Sequence, residues 1–87
     1  MENSINSRVA LIGIIVSDGS AVESVNAVLH DFGSHILGRM GLPIRDRGIN
    51  AISIVVDAPL DMINSLSGKL GAINGVSAKT LFPSKAN

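Results

Sequence analysis

Short apolar runs, separated by glycine, proline and charged residues, predict β-strands along this chain. The run at 49–57 is rich in β-branched residues, begins after Gly48 and is followed by Pro59, which is typical of a buried central strand. Residues 8–17 form a second run that is apolar on both faces. We expect the strand at 49–57 to be central in the sheet, with the rest of the chain covering it or pairing with it.

Two further strands are predicted, and both are less regular. Residues 35–42 contain glycines and are followed by a proline, which favours an edge of the sheet. Alternation in this segment predicts that Ile36, Met40 and Leu42 share one face. Residues 76–82 form the last predicted strand.

Between the strands, apolar residues recur at helical spacing and predict two amphipathic helices. The first helix begins at Ser20, which forms a capping box with Glu23. The second begins near Pro59, which suits a first helical turn. Every apolar position of the second helix lies 41 residues after its counterpart in the first. The two stripes consist of Val22, Val25, Leu29 and Phe32, and of Ile63, Leu66, Leu70 and Ile73.

The 41-residue shift indicates two β-α-β units, in the element order βαββαβ. With right-handed crossovers, this order gives the ferredoxin-like split β-α-β fold. The fold class is α+β: two helices cover one face of a four-stranded antiparallel sheet whose first and third strands are central. We expect one domain at residues 8–83, a disordered segment at 1–7 and a tail at 84–87.

This architecture leaves one face of the sheet without helices. The 41-residue shift predicts which residues of the first strand face the helices and which lie on the open face. The open face should be apolar, so we expect a homo-oligomer, a dimer or tetramer, to cover it. The predicted helix-facing residues are Leu11, Gly13, Ile15, Ile52, Ile54 and Val56, and the predicted open face consists of Ala10, Ile12, Ile14, Val16, Ala51, Ser53 and Val55.

The composition also favours association. Hydrophobic residues make up 46% of the 87 residues, and the mean hydropathy is +0.42. A domain of this size buries only about 60–65% of the surface that its unfolded chain exposes. Some of the apolar content is therefore expected to lie outside the core of a single chain.

Charge and cysteine content exclude several classes of function. Seven basic and seven acidic residues cancel, so the chain lacks the positive charge with which a domain binds nucleic acid unaided. The absence of cysteine excludes disulfides and thiolate chemistry. No apolar run reaches the roughly 18 residues of a membrane span, and no signal-peptide pattern precedes the first strand. We expect a cytoplasmic protein without direct membrane or nucleic-acid contact.

The turn formed by Asp18, Gly19 and Ser20 is a candidate ligand site. It lies between a predicted strand and a predicted helix, where backbone amides can bind an anion. The turn could bind a small effector there. A structural role as turn and helix cap explains the same residues.

Arginines form a second candidate site around the predicted hairpin. Arg39, Arg45 and Arg47 could contact a carboxylate or phosphate of a ligand. The alternative is a solvated loop that is partly paired with Asp46.

Other combinations of residues argue against metal or nucleotide chemistry. The two histidines, His30 and His35, lack the i, i+4 spacing of a helical zinc pair. Residues 67–69 read Ser-Gly-Lys but lie inside a predicted helix, without the first glycine of a phosphate loop. No serine–histidine–acid arrangement is evident. We therefore expect no catalytic residues, no metal site and no cofactor.

Four segments together resemble a known family. They are Leu-His-Asp-Phe at 29–32, Ile-Leu-Gly-Arg-Met-Gly-Leu-Pro at 36–43, Leu-Ser-Gly-Lys-Leu-Gly at 66–71 and Ile-Asn-Gly-Val at 73–76. In this order they are similar to the iron-only hydrogenase system regulator family of small, ACT-like, ferredoxin-like proteins. The resemblance covers residues 8–82.

The resemblance implies a non-enzymatic transcriptional regulator linked with hydrogenase maturation. ACT-like domains generally bind small effectors at subunit interfaces, so a site at Asp18, Gly19 and Ser20 is expected, with Arg39 contributed by another chain. A related domain in nickel-responsive repressors binds metal through histidines and a cysteine, and this chain lacks the cysteine. It also lacks a helix-turn-helix, so regulation of transcription would need a partner.

Two alternatives remain open at this point. The chain could be a structural or assembly protein that binds a maturation partner without a ligand. It could also be a small dimeric α+β enzyme that uses one of its histidines as a base.

Overall fold

The computed structural model describes residues 7–84, which form a four-stranded antiparallel sheet and two helices. The predicted disordered segment at 1–7 lies outside the described residues except for Ser7, and the predicted tail at 84–87 except for Ser84. The elements are β1 (Ser7–Val16), α1 (Val22–Asp31), β2 (Ile36–Ile44), β3 (Ile49–Pro59), α2 (Leu60–Gly71) and β4 (Val76–Leu81).

The strand order in the sheet is β2-β3-β1-β4. The central positions of β1 and β3 are as predicted, and so is the α+β, ferredoxin-like βαββαβ fold. Strands β1 and β3 pair along their full length, from Ser7 opposite Pro59 to Val16 opposite Asn50. The glycine-containing β2 is an edge strand, where the missing amide hydrogen of Pro43 leaves no gap inside the sheet.

Both helices contribute to one hydrophobic core on one face of the sheet. All eight positions of the predicted stripes lie in this core or pack against it, because each helix turns its apolar side toward the sheet. None of the helices in residues 7–84 is both long and apolar enough to cross a membrane. The buried stripe residues are Val25, Leu29, Ile63, Leu66 and Leu70, and the half-buried ones are Val22, Phe32 and Ile73.

The prediction of which β1 residues face the helices is wrong. Ile14 is 1% exposed beneath the helices, whereas its neighbour Ile15 is 43% exposed on the other face. Ile14 lies directly opposite Ile52 of β3, and directly opposed residues of an antiparallel pair point to the same side. The helix-facing residues of β1 are therefore Ala10, Ile12, Ile14 and Val16, and the open face has Val9, Leu11, Gly13 and Ile15.

The error has a geometric cause in the two strand-to-helix connections. A three-residue 3-10 turn, Gly19–Ala21, precedes α1, whereas α2 begins directly after Pro59. Counted between core residues, the helix stripe begins six positions after the strand in the first unit, from Val16 to Val22, and five positions after it in the second, from Ala58 to Ile63. The 41-residue repeat holds for the helices, but a shift of one residue exchanges the two faces of a strand.

A β-bulge in β2 corrects a second prediction. Ile36 lies opposite Val56, but Gly38 lies opposite Val55, so Leu37 is an extra residue in the ladder. The bulge moves the residues after it to the other face. Ile36 consequently packs against the core, whereas the predicted partners on its face lie on the open side of the sheet: Met40 and Leu42.

Pro59 also differs slightly from its predicted place. It is the last residue of β3 and directly precedes α2, with an extended backbone at φ −61° and ψ 152°. Its fixed φ suits this position, and its missing amide hydrogen leaves no donor unpaired at the start of the helix. The second strand-to-helix connection is therefore as short as the chain allows.

Candidate functional site

The sheet face opposite the helices, here called the open face, is apolar. Met40, Leu42 and Leu81 are 70%, 62% and 66% exposed. The prediction of an apolar open face is confirmed, although β1 contributes the other set of residues. The open face consists of Val9, Leu11, Gly13, Ile15, Gly38, Met40, Leu42, Ile44, Ile49, Ala51, Ser53, Val55, Asp57, Ser77, Lys79 and Leu81.

A hollow of about 610 Å³ lies in the centre of the open face. We call it the central hollow. Its lining includes the small residues Gly13, Ala51 and Ser53, with Ile15 and Met40 among the larger ones. The space above Gly13 is open, because a Cβ added there would meet no heavy atom within 4 Å.

Lys79 of β4 also lines the central hollow. It lies opposite Gly13, so no side chain of β1 stands directly between Lys79 and the hollow. Sequence reasoning did not single out Lys79, although the alternation of Val76, Ala78 and Thr80 in β4 is a signal that the intervening residues share the other face.

The turn at Asp18 is closed by its own hydrogen bonds. The Ser20 backbone amide donates to Asp18 Oδ1 over 3.0 Å, and the Ser20 hydroxyl donates to the same oxygen over 2.8 Å. The hydrogen bond from the Ser20 amide lowers the pKa of the Asp18 carboxyl below its ordinary value, and the hydrogen bond from the Ser20 hydroxyl makes a smaller contribution in the same direction. Asp18 therefore caps the 3-10 turn Gly19–Ala21, and α1 has no side-chain cap. The predicted capping box of Ser20 with Glu23 is wrong, because α1 begins only at Val22.

This turn is held against the loop before β4. The backbone amide and the hydroxyl of Ser17 both donate to the carbonyl oxygen of Gly75, over 2.8 and 3.1 Å. Gly75 has a positive φ of 81°, a conformation that glycine adopts without strain. Ser17 and Gly75 are 58 residues apart in the chain, so local sequence patterns did not predict this contact.

Arg39 lies on the helix side of β2, away from the open face. Its Nη2 donates to Asn26 Oδ1 of α1 over 3.2 Å. Arg39 lies opposite Ile54 in mid-strand, whereas Asp18 follows the end of β1. The structure therefore does not bring Arg39 to the turn of Asp18, Gly19 and Ser20 within one chain. A site that takes Arg39 from a second chain remains a prediction.

The other predicted basic residues also lie apart from Arg39. Arg45 and Arg47 belong to the 3-10 turn that joins β2 to β3, at least six residues along the strand from Arg39, or about 20 Å. Within residues 7–84 neither forms an ion pair with Asp46. The predicted arginine cluster is thus spread along β2 and the hairpin.

The two histidines occupy different surroundings. His30 lies in a shallow depression of about 320 Å³ that it shares with Asn26 and Arg39. His35 ends the 3-10 turn Gly33–His35. In the described part of the chain, no group of three histidine, aspartate or glutamate side chains is placed to hold a metal ion.

The fold and sheet order define an ACT-like domain of the ferredoxin-like class. The ACT domain of GTP pyrophosphokinase from Chlorobium tepidum has the same fold. Its crystal structure gives a TM-score of 0.75 at 20% identity, covering 86% of this chain and 99% of that one. Its solution structure gives 0.72 at 19% identity, covering 94% of each chain. At these identities the likeness shows the fold alone.

The family is shown by sequence. The family model "TM1266-like: Iron-only hydrogenase system regulator, putative" matches residues 8–80. The structure of the uncharacterized protein TM1266 from Thermotoga maritima has a TM-score of 0.85 and 41% identity, covering 91% of this chain and 99% of that one. The chain belongs to the TM1266-like family, as its four sequence segments indicated. No curated protein sequence matches it.

Proposed function

We propose that this chain is a non-enzymatic regulatory subunit of an iron-only hydrogenase system and acts as an oligomer that is assembled through its open face. The family and the ACT-like fold fit a regulatory role. The observation that carries the proposal is the exposure of Met40, Leu42 and Leu81 on a sheet face that no other element of residues 7–84 covers. A cytoplasmic location is part of the proposal.

The energy of burial supports a covered face. Fully burying a large aliphatic side chain stabilises by about 1.5–3 kcal/mol, and several such side chains share this face. Four strands spaced about 4.8 Å apart and some 25 Å long give roughly 480 Å² per copy. Two copies then bury about 960 Å², which is close to the roughly 1,000 Å² at the lower limit for a specific protein interface.

Regulation would follow from differential binding to two assembly states. A ligand that binds between subunits can shift the equilibrium only by its difference in affinity for the two states. Asp18, Gly19 and Ser20, with Arg39 from another chain, are the proposed ligand-binding residues. Since the chain has no net charge, an effect on transcription would act through a protein partner that binds DNA.

Sedimentation velocity at micromolar concentration tests the assembly. We expect the wild type to sediment as a dimer or tetramer and the double variant Met40→Glu, Leu42→Glu as a monomer. Leu60→Glu is the control, because Leu60 is an exposed apolar residue of α2 that lies outside the open face. A monomeric wild type, or equal behaviour of both variants, contradicts the proposal.

A second candidate is an assembly subunit without a ligand. It is favoured by the turn itself, because Asp18 already accepts the Ser20 amide hydrogen that an anion would need. Thermal-shift screening of amino acids, nucleotides and divalent metals separates the two functions. A stabilising compound whose effect is lost in Asp18→Ala and in Arg39→Ala supports ligand sensing. The absence of any stabilising compound supports the assembly subunit.

A further inference from the structure

Lys79 carries an isolated positive charge on the open face. The four strands contain one acidic residue, Asp57. Asp57 lies opposite Val9, four residues along β1 from Gly13, the residue that faces Lys79. The backbone positions of the two residues are thus about 14 Å apart along the strand direction. In the described chain no carboxylate pairs with Lys79.

A covered Lys79 needs an anion. An ammonium group that leaves water is strongly disfavoured unless a counter-charge and hydrogen bonds replace its hydration. Covering the open face by a second copy would remove water from the hollow that Lys79 lines. The strands of the second copy also contain one carboxylate, Asp57, and Asp57 is not part of the lining of the central hollow.

The central hollow would be an unfilled cavity if a second sheet covered the open face. Stacked sheets lie about 10 Å apart, a distance set by interdigitating side chains of ordinary size. Gly13, Ala51 and Ser53 are too small to supply such side chains, so a stacked face would leave a void here. Protein interiors are close-packed, and a void loses contacts on all sides. A volume of about 610 Å³ lies within the usual range of ligand pockets.

We propose that the central hollow binds a small apolar carboxylate whose charged group pairs with the Lys79 ammonium and whose apolar body contacts Ile15, Met40 and Leu42. This inference rests on the proposed function, because a ligand pocket normally buries most of its ligand and the second copy supplies the cover. The site is distinct from the turn at Asp18, which lies beyond the end of β1.

The test uses 2-naphthoate as the probe and 2-naphthamide as its neutral counterpart, with binding measured by isothermal titration calorimetry at neutral pH. We expect saturable binding of 2-naphthoate and at least tenfold weaker binding of the amide. Lys79→Gln should weaken binding of 2-naphthoate at least tenfold, and Ser53→Leu should abolish it by filling the hollow. Lys69→Gln is the control, because the Lys69 ammonium lies over the Phe32 ring, 5.8 Å from its centroid. This variant should bind 2-naphthoate as the wild type does.

Sedimentation velocity of the same samples separates this inference from the proposed function. An assembled wild type that does not bind 2-naphthoate overturns the ligand site and leaves the oligomer intact. So does binding that is equal in the wild type and Lys79→Gln. A monomeric wild type without binding overturns both. Binding that depends on Lys79 in an oligomeric wild type supports both.

Discussion

The backbone of Gly75 lies so close to Asp18 that a Cβ at position 75 would come within 2.6 Å of the Asp18 Cβ. The same glycine has a φ of 81° and accepts two hydrogen bonds from Ser17. The loop before β4 is therefore fixed against the turn that leads from β1 into α1. Only glycine satisfies both the backbone conformation and the contact.

Replacing Gly75 by alanine should destabilise the fold through two separate effects. The left-handed conformation disfavours a Cβ by about 1–2 kcal/mol. The overlap with Asp18 forces a backbone shift, which costs about 1–3 kcal/mol more. We expect the free energy of unfolding in urea to fall by about 2–5 kcal/mol.

Gly48→Ala is the matched control for this substitution. Gly48 has a φ of 66°, but a Cβ there would meet no heavy atom within 4 Å. Only the conformational effect remains, so a loss of about 1–2 kcal/mol is expected. Equal losses in the two variants would show that the contact with Asp18 has no energetic effect.

The hydrogen bonds at Asp18 predict a pH dependence of stability. They lower the pKa of Asp18 in the folded chain, so the folded state holds this carboxylate ionised more readily than the unfolded state does. The resulting stabilisation is fully present above the unfolded pKa and is lost as the pH falls through the folded pKa. The advantage of the wild type over Asp18→Asn in urea unfolding should therefore be present at neutral pH and disappear at low pH.

Ser20→Ala tests the cause of the same pKa shift. The variant loses the hydroxyl donor and keeps the backbone amide donor to Asp18 Oδ1. An NMR titration of the Asp18 carboxyl carbon should then show a pKa that has risen toward the ordinary value without reaching it. An unchanged pKa would exclude the hydroxyl bond as a cause.

The neighbouring isoleucines Ile14 and Ile15 should respond differently to the same truncation. Ile14 is 1% exposed in the core, so Ile14→Ala is expected to reduce the free energy of unfolding by about 2–5 kcal/mol. Ile15 is 43% exposed on the open face, so Ile15→Ala should change the unfolding of a single chain by no more than about 0.5 kcal/mol.

Self-association of the chain should depend more on Ile15 than on Ile14. Ile15→Ala removes apolar area from the proposed interface and should weaken the oligomer in sedimentation experiments. Urea unfolding at low protein concentration measures the stability of the single chain without the contribution of association. If Ile15→Ala were the more destabilising substitution in a monomer, the assignment of the two faces of β1 would be incorrect.

The bulge in β2 predicts that one residue can be deleted without disturbing the sheet. Without Leu37, Ile36 and Gly38 become neighbours while they keep their partners, Val56 and Val55. Both faces of β2 remain as they are, because only the extra residue is removed. We expect the Leu37 deletion to retain the wild-type circular dichroism spectrum and cooperative unfolding.

Deletion of Gly41 is the control, since Gly41 lies in the regular part of β2 opposite Ile52. Removing it shifts one half of the strand by one residue and exchanges the faces of that half. The Gly41 deletion should lower the midpoint of thermal unfolding far more than the Leu37 deletion. The reverse order would place the extra residue elsewhere in β2.

The sequence identified some residues of the candidate sites and missed others. Asp18 and Ser20 were found because a polar turn before a helix is a local signal, but the capping residue is Asp18, and it caps the 3-10 turn rather than α1. Lys79 was not found, because its significance depends on Gly13, which is 66 residues away in the chain. Only the pairing of β1 with β4 places the two residues side by side.

The sequence by itself determined the order of the elements, the central strands and the apolar sides of both helices. These features follow from local periodicity and from the handedness of crossovers. The tertiary structure decided which face of β1 is buried. Both faces of that strand carry large apolar residues, such as Ile14 and Ile15, so its composition fits either orientation. The register with β3 selects one of them, because opposed residues in paired strands must lie on the same side of the sheet.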